Sequence, residues 1–406
     1  ILSKEEKEAL GRFGRQKVEE HFSIKKMTEK TVEIYEKLIK DCKYLDVFLF
    51  GYYGFENTGD EAILQTIVQQ FQQILPETKL TALTYKARDT MDKYEINAVS
   101  RNHFKDVINA IRKSDLVISG GGSLLQDVTS SRSLLYYLTI IYLAKIFGKK
   151  TMFYGNGFGP ITKFFNRKLA KYIVNKVDII TVRDYKSKEE IRSLGIKKDI
   201  IVTADVTFSM DLPAGEVIEA IYKKEKIDTT KQLVGISVRK WYGENIYKEV
   251  IAKTCENLIE KGYEVVFVPM QYPNDIVISQ EIVCLMNKKP KIIEDRYSPK
   301  EIAGIISKFD LLIGMRLHSL IFAAITAVPM VGLEYDPKIL SFLNLVGQES
   351  AGKVENLNIV QLRDTIDRVM CEKEEYKYKL VKIRDELRQK AELNIEVLEQ
   401  FVKKGE

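Results

Sequence analysis

The 406 residues contain three histidines, His21, His103 and His318, so an imidazole able to move a proton near neutral pH has few places to be. His318 lies in Met315-Arg316-Leu317-His318-Ser319, where the apolar run Leu311–Met315 gives way to a helical pattern. A cation and an imidazole at a helix N-terminus make an anion site, because the first-turn N–H groups and the dipole both favour negative charge. Arg316, His318 and Ser319 are therefore candidate anion ligands, with His318 the candidate proton donor or acceptor. A satisfied core histidine is the bland alternative. The next apolar run ends at Glu334-Tyr335-Asp336-Pro337-Lys338. Parallel strands end on one edge, so Lys338 can reach the same anion. Arg239-Lys240-Trp241 follows the run Val234–Val238 and adds two cations and the single tryptophan, a sugar platform or a packing residue.

Two glycine-bearing segments also follow apolar runs. Gly51-Tyr52-Tyr53-Gly54-Phe55-Glu56-Asn57-Thr58-Gly59-Asp60-Glu61 opens a helical pattern, with Asp60 placed as its N-cap. Ser119-Gly120-Gly121-Gly122-Ser123 precedes Gln126, Asp127 and Arg132. Neither has the dinucleotide spacing G-x-G-x-x-G. At strand ends they are suited to a hydroxyl-rich or anionic ligand, through Asn57, Asp60, Glu61, Gly121, Gly122, Gln126 and Arg132.

These residues need a frame. Apolar runs at 46–50, 80–84, 115–119, 151–155 and 178–182 alternate with helical patterns such as 61–75 and 104–113. A second alternating block covers 234–335. Such alternation predicts α/β architecture with parallel sheets. The chain is long for a single core, and the expected division is a helical tail 1–43, a Rossmann-like domain 44–212, a linker 213–233, a second Rossmann-like domain 234–358 and C-terminal helices 359–406. A cleft between the two domains would hold the site. Cys42, Cys255, Cys284 and Cys371 form no C-x-x-C pair, which argues against a zinc site or disulfide framework and suits the reducing cytosol. No apolar run reaches the roughly 18 residues of a spanning helix; Leu134–Ala144 reads as a core helix. The net charge of +6 comes without any nucleic-acid-binding signature. Its one dense cluster, Lys163, Arg167, Lys168, Lys171 and Lys176, reads either as a solvated helix face or as a patch facing a membrane.

Together GYYGFENTGDEAIL, SGGGSLLQD, FYGNGFGP, Arg183-Asp184, GISVRKW, MRLHSLIFAA and EYDPK resemble the polysaccharide pyruvyl transferase family of the CsaB type, in order, over residues 47–345. The resemblance implies two Rossmann-like domains in a GT-B-like arrangement and phosphoenolpyruvate as donor, with no cofactor or metal. The acceptor it implies is a β-N-acetylmannosamine of a lipid-linked secondary cell-wall polymer precursor. The ketal product would anchor S-layer proteins. It further implies an essential arginine, histidine and lysine, falling on Arg183 (with Arg316 competing), His318 and Lys338. The second domain would bind the donor, Arg239 and Ser319 assisting, and the first the acceptor, Asp60 or Glu61 serving as its base. The expected setting is cytoplasmic, with peripheral membrane contact left open.

Residues 1–41 instead resemble the C-terminal tail of family-4 GT-B glycosyltransferases. With Ile1 in place of methionine, they imply a segment cut from, or encoded as, a longer fusion; the alternative is a plain amphipathic helix packed on the first domain. Phe22, Ile24, Met27 and Tyr35 are the apolar positions expected to lean on that domain. Two other functions stay open: a nucleotide-sugar glycosyltransferase, although MRLHSLIFAA occupies the helix start where the retaining type's Glu-x7-Glu would follow the second domain's Gly-rich loop, and a silent carbohydrate-binding homologue.

Overall fold

The computed structural model describes residues 3–21, 26, 28, 30, 45–128, 130–241 and 246–404. The chain divides into two compact units, Ile1–Leu45 and Asp46–Glu406. The first contributes helix α1 (Lys4–His21), with Glu5 and Glu6 in its first turn, the sign that end of the dipole favours. Phe22, Ile24, Met27 and Tyr35 lie outside the described residues.

Strands and helices then alternate: β1 (Leu45–Tyr53), α2 (Thr58–Ile74), β2 (Thr78–Thr84), α3 (Ala87–Tyr94), β3 (Asn97–Ser100), α4 (Phe104–Lys113), β4 (Leu116–Gly120), α5 (Ser131–Ile146), β5 (Lys150–Asn156), α6 (Phe164–Val174), β6 (Ile179–Val182), α7 (Tyr185–Ser193) and β7 (Ile201–Val202). They build a seven-stranded sheet in the order β3-β2-β1-β4-β5-β6-β7. A 3₁₀ turn (Val206–Ser209) and α8 (Gly215–Lys224) lead to a second series. This comprises β8 (Leu233–Ser237), α9 (Ile246–Glu260), β9 (Glu264–Phe267), α10 (Asn274–Val283), β10 (Lys291–Ile292), α11 (Pro299–Ile306), β11 (Leu311–Gly314), α12 (Leu317–Ile325), β12 (Met330–Glu334), α13 (Pro337–Val346) and β13 (Glu349–Lys353). Its sheet has six strands in the order β10-β9-β8-β11-β12-β13. Helices α14 (Ile359–Cys371) and α15 (Lys373–Lys404) close the chain.

Central strands β4, β8 and β11 are buried along their whole length and pair in parallel with their neighbours, so helices cover both faces and the strands read as unbroken apolar runs. The elements that escape a pattern reading are β3, β7, β10 and β13. All four are sheet edges, short and only partly buried. The stretch expected to be a linker holds α8 instead. Its Ile218, Ile221 and Tyr222 are buried, and the Tyr222 hydroxyl donates to the Ile305 carbonyl (2.7 Å), so the segment folds against α11.

One core joins the halves. Ala62, Ala204 and Phe208 pack in the same cluster as Leu320, Phe322, Leu380, Leu387 and Ala391. Helix α15 runs from the second domain back to the first, where Asn394 Oδ1 accepts from the hydroxyls of Thr181 and Thr203.

Candidate active site

The winding of each sheet reverses once, between β1 and β4 and between β8 and β11, and a crevice opens at the carboxyl ends of strands at such points. The two crevices face each other around a cavity of about 350 Å³. After β1 come Tyr52, Asn57 and Asp60; after β4, Gly122, Ser123 and Gln126; after β6, Arg183. The second domain supplies Arg239 after β8, Arg316 and His318 after β11, and Tyr335 and Lys338 after β12. Backbone bonds stitch the rim: Thr58 N–H donates to Met270 O (2.8 Å) and Tyr272 N–H to Glu56 O (3.1 Å).

Helix α2 is capped by Asn57, whose Oδ1 accepts from Gly59 N–H (3.1 Å). Asp60, expected at the cap, instead sits inside the first turn, because the Asn57 side chain already satisfies that amide. Its carboxyl faces Gly122, where an added Cβ would come 3.2 Å from Asp60 Oδ1. Burial, and then the Glu61 charge, push Asp60 up to about 7. Gly59 meets the other domain: a Cβ there would lie 2.0 Å from His318 Nδ1. The imidazole therefore rests on bare backbone.

His318 Nε2 lies 3.7 Å from Asp205 Oδ2, too far for a hydrogen bond, and is buried with no hydrogen-bond partner among the described residues. Burial lowers its pKa, Asp205 opposes, and Arg183, Lys338 and Arg316 lower it again, to about 4. The ring is neutral at physiological pH. Burial alone would raise Asp205, but His318, Arg183 and the Thr207 hydrogen bonds hold it below the ordinary carboxylate value.

The cations differ in how far they are already engaged. Arg183 donates to Asp205 (3.2 Å) and to Ser123 Oγ (3.1 Å). Arg316 forks onto the fully buried Asp275 (2.9 and 2.6 Å) and donates to Gln271 Oε1 (2.9 Å). Lys338 Nζ has Asp336 at 3.5 Å. The Arg239 guanidinium lies over the Tyr335 ring (4.4 Å) and its buried Nε has no hydrogen-bond partner among the described residues. Arg239 and Lys338 are thus the cations least committed to protein carboxylates.

Other expected site residues lie elsewhere. Glu61 faces a separate cavity of about 210 Å³, accepting from Gly54 N–H (2.7 Å) and the Tyr94 hydroxyl (2.8 Å). Buried Ser319 donates its hydroxyl to Arg316 O (2.7 Å). Gly121, at φ +64°, packs on Ile63. Arg132 lines a shallow groove beside the cavity, with Phe55, Tyr85, Arg101 and Tyr136. Trp241 packs tilted against Tyr335 (5.5 Å).

Sequence reasoning missed Ser123, Asp205, Gln271 and Asp275. Ser123 stood in the second glycine segment, so its position was visible. Asp205 follows the two-residue edge strand β7, and Asp275 pairs with Arg316 across a separation of 41 residues, so neither has a local signal. Among the described residues, no group of three His, Cys, Asp or Glu side chains is placed to hold a metal.

The fold and cleft define a two-domain α/β protein of the glycosyltransferase and epimerase architecture. Solved structures agree on this: Anabaena HepE with UDP-glucose (TM-score 0.60, 10% identity, 88% of this chain and 100% of that one), and a Rickettsia africae glycosyltransferase (0.60, 14%, 89% and 99%). The Neisseria meningitidis UDP-GlcNAc 2-epimerase bound to UDP-GlcNAc shares the fold too (0.60, 14%, 87% and 99%). At these identities the likeness concerns the fold alone. The sequence model of the family described as polysaccharide pyruvyl transferase matches residues 57–337, and the chain belongs to that family. It is also 24% identical over 280 residues to the amylovoran biosynthesis protein AmsJ of Erwinia amylovora, an alignment spanning 64% of this chain and 66% of that protein.

Proposed function

We propose that the cleft transfers the pyruvyl group of phosphoenolpyruvate onto a β-linked N-acetylmannosamine of a lipid-linked secondary cell-wall polymer precursor, as in the CsaB-type branch. The ketal product would retain S-layer proteins, and the reaction would run at the inner face of the membrane. On the same reading, residues 1–41 correspond to the C-terminal tail of a family-4 GT-B glycosyltransferase. The observation that carries the proposal is the buried, unpartnered His318 Nε2 with Arg183, Arg239 and Lys338 around the same cavity. A donor bearing both carboxylate and phosphate needs several fixed cations.

The chemistry balances as follows. A proton adds to the methylene carbon of the donor, making it methyl and leaving C2 oxocarbenium-like. One sugar hydroxyl forms a C–O bond to C2 and loses its proton. The C2–O bond to phosphate breaks, and a second hydroxyl closes the ketal ring, its proton leaving with inorganic phosphate. Asp60, at about 7, and His318, at about 4, are the candidate proton carriers, since divergent pKa values assign acid and base roles. A bound anion would pair with the cations that depress His318 and raise it, equipping the imidazole to protonate the donor.

The test is incubation with phosphoenolpyruvate and a synthetic N-acetylmannosaminyl lipid, followed by mass analysis of the lipid and assay of released phosphate. Expected are a ketal adduct and one phosphate per adduct. Tight calorimetric binding of a UDP-sugar with none of phosphoenolpyruvate would favour a glycosyltransferase and overturn the assignment.

A further inference from the structure

Residues 128–177 contain no Asp or Glu and nine Lys or Arg. The acids that bound this run are engaged. Asp127 is buried and accepts from the amides of Thr162 and Lys163 at the start of α6, and Asp178 pairs with Lys145 (2.7 Å).

Helices α5 and α6 of this run lie side by side, tied by Asn166 Nδ2 and Lys163 Nζ donating to Ser131 Oγ (3.1 and 2.8 Å). The expected core helix is buried on one side only. Its outer stripe, Arg132, Leu135, Thr139, Tyr142 and Ile146, is exposed at steps of three and four residues. Beside it α6 exposes Phe165 (83%), Phe164 (65%), Tyr172 (54%) and Leu169. Tyr142 and Tyr172 are 6.4 Å apart, which makes one continuous face. Lys168 and Lys176 lie over the rings of Phe164 and Tyr172, at 4.4 and 4.7 Å.

We propose that the paired outer faces of α5 and α6 dock the protein on an anionic phospholipid surface. Soluble domains seldom leave so many aromatic and aliphatic side chains uncovered together. Rings that enter the headgroup region, surrounded by lysines that meet anionic lipid, are the composition of an interfacial helix. A second copy is the poorer occupant, because a two-fold contact sets the same lysines against one another. The inner side of α5 contributes Ser133 and Tyr137 to the cavity, so docking would bring the site to the membrane. Its use for a lipid-linked acceptor rests on the function proposed above. The docking itself does not.

The experiment is cosedimentation of the full chain with phosphatidylcholine vesicles, with and without phosphatidylglycerol, for the wild type, F164S/F165S and K168E/K171E. The wild type should bind the anionic vesicles, bind neutral ones far less, and release at high salt. Each double variant should lose at least about tenfold in partitioning while keeping its melting temperature, K168E/K171E because about a fivefold effect is expected for each lost lysine and F164S/F165S because two rings no longer bury apolar area in the headgroup region. Transfer to a soluble acceptor should be unchanged in F164S/F165S, and transfer to a vesicle-embedded acceptor lost. If neither acceptor reacts, the function proposal fails while the vesicle result stands on its own. Wild-type protein left in the supernatant, binding that survives both variants, or a solution dimer split by F164S/F165S without vesicle binding would each overturn the docking face.

Discussion

At the level of single residues, the cavity is defined by charges that hold one another away from their ordinary protonation. His318 is neutral because burial and neighbouring cations oppose its proton, and Asp60 is raised by burial and Glu61. An anion entering the cavity reverses the cation effect on His318 and adds to the pressure on Asp60. Phosphoenolpyruvate binding should therefore take up protons near neutral pH and weaken as pH rises. Calorimetry in buffers of different ionisation enthalpy measures this, and proton release would contradict it. Asp60 also makes a stability prediction. Its folded pKa lies above the unfolded value of 3.8, so its contribution is fully present below that value and lost as pH rises through about 7. Asp60→Asn should raise the melting temperature more at about pH 8 than at about pH 5 while suppressing transfer. Gly59→Ala places a methyl where the His318 ring sits. Turnover should fall by on the order of 10²-fold from misplacing the imidazole, with phosphoenolpyruvate binding less affected.

Among the helices and strands, the site is held by what lies behind it. Asp275, at the start of α10, accepts the Arg316 fork and the amides of Met270 and Gln271. It fixes both Arg316, the N-cap of α12, and the loop bonded to the first domain. Removing one partner of a buried pair leaves an uncompensated charge, so Asp275→Ala should cost about 3–5 kcal/mol in urea unfolding. Arg316→Lys should also weaken the site, because a single ammonium cannot reproduce the bidentate geometry. Little loss of stability in Asp275→Ala would show that Arg316 finds solvent or another acceptor instead.

Across the molecule, residues 46–406 form one compact unit with a shared core and the crossing helix α15. Residues 1–45 form a separate unit. A chain beginning at Lys43 should keep its turnover per folded molecule. Loss of transfer in a well-folded truncation would show that the removed segment helps build the site.

The class of fold and most of the cavity's second-domain side can be read from the order of residues. Buried parallel strands must be apolar along their length, so β4, β8 and β11 announce themselves, and the residues just after them must lie at a ligand-binding edge. Arg316, His318 and Lys338 were legible for that reason, as were Asn57, Gly122 and Gln126 on the first domain. Edge strands lack that signature. Which neighbours of those residues matter emerged from the folded molecule. Local position could not tell Asp60, which faces the cavity, from Glu61, which turns to another pocket. Nor could it pair Arg316 with Asp275 or Arg183 with Asp205, or set His318 on Gly59 of the other domain. Such contacts depend on how two sheets meet, and their electrostatics on the burial that meeting creates, so nothing within a few residues of each partner encodes them.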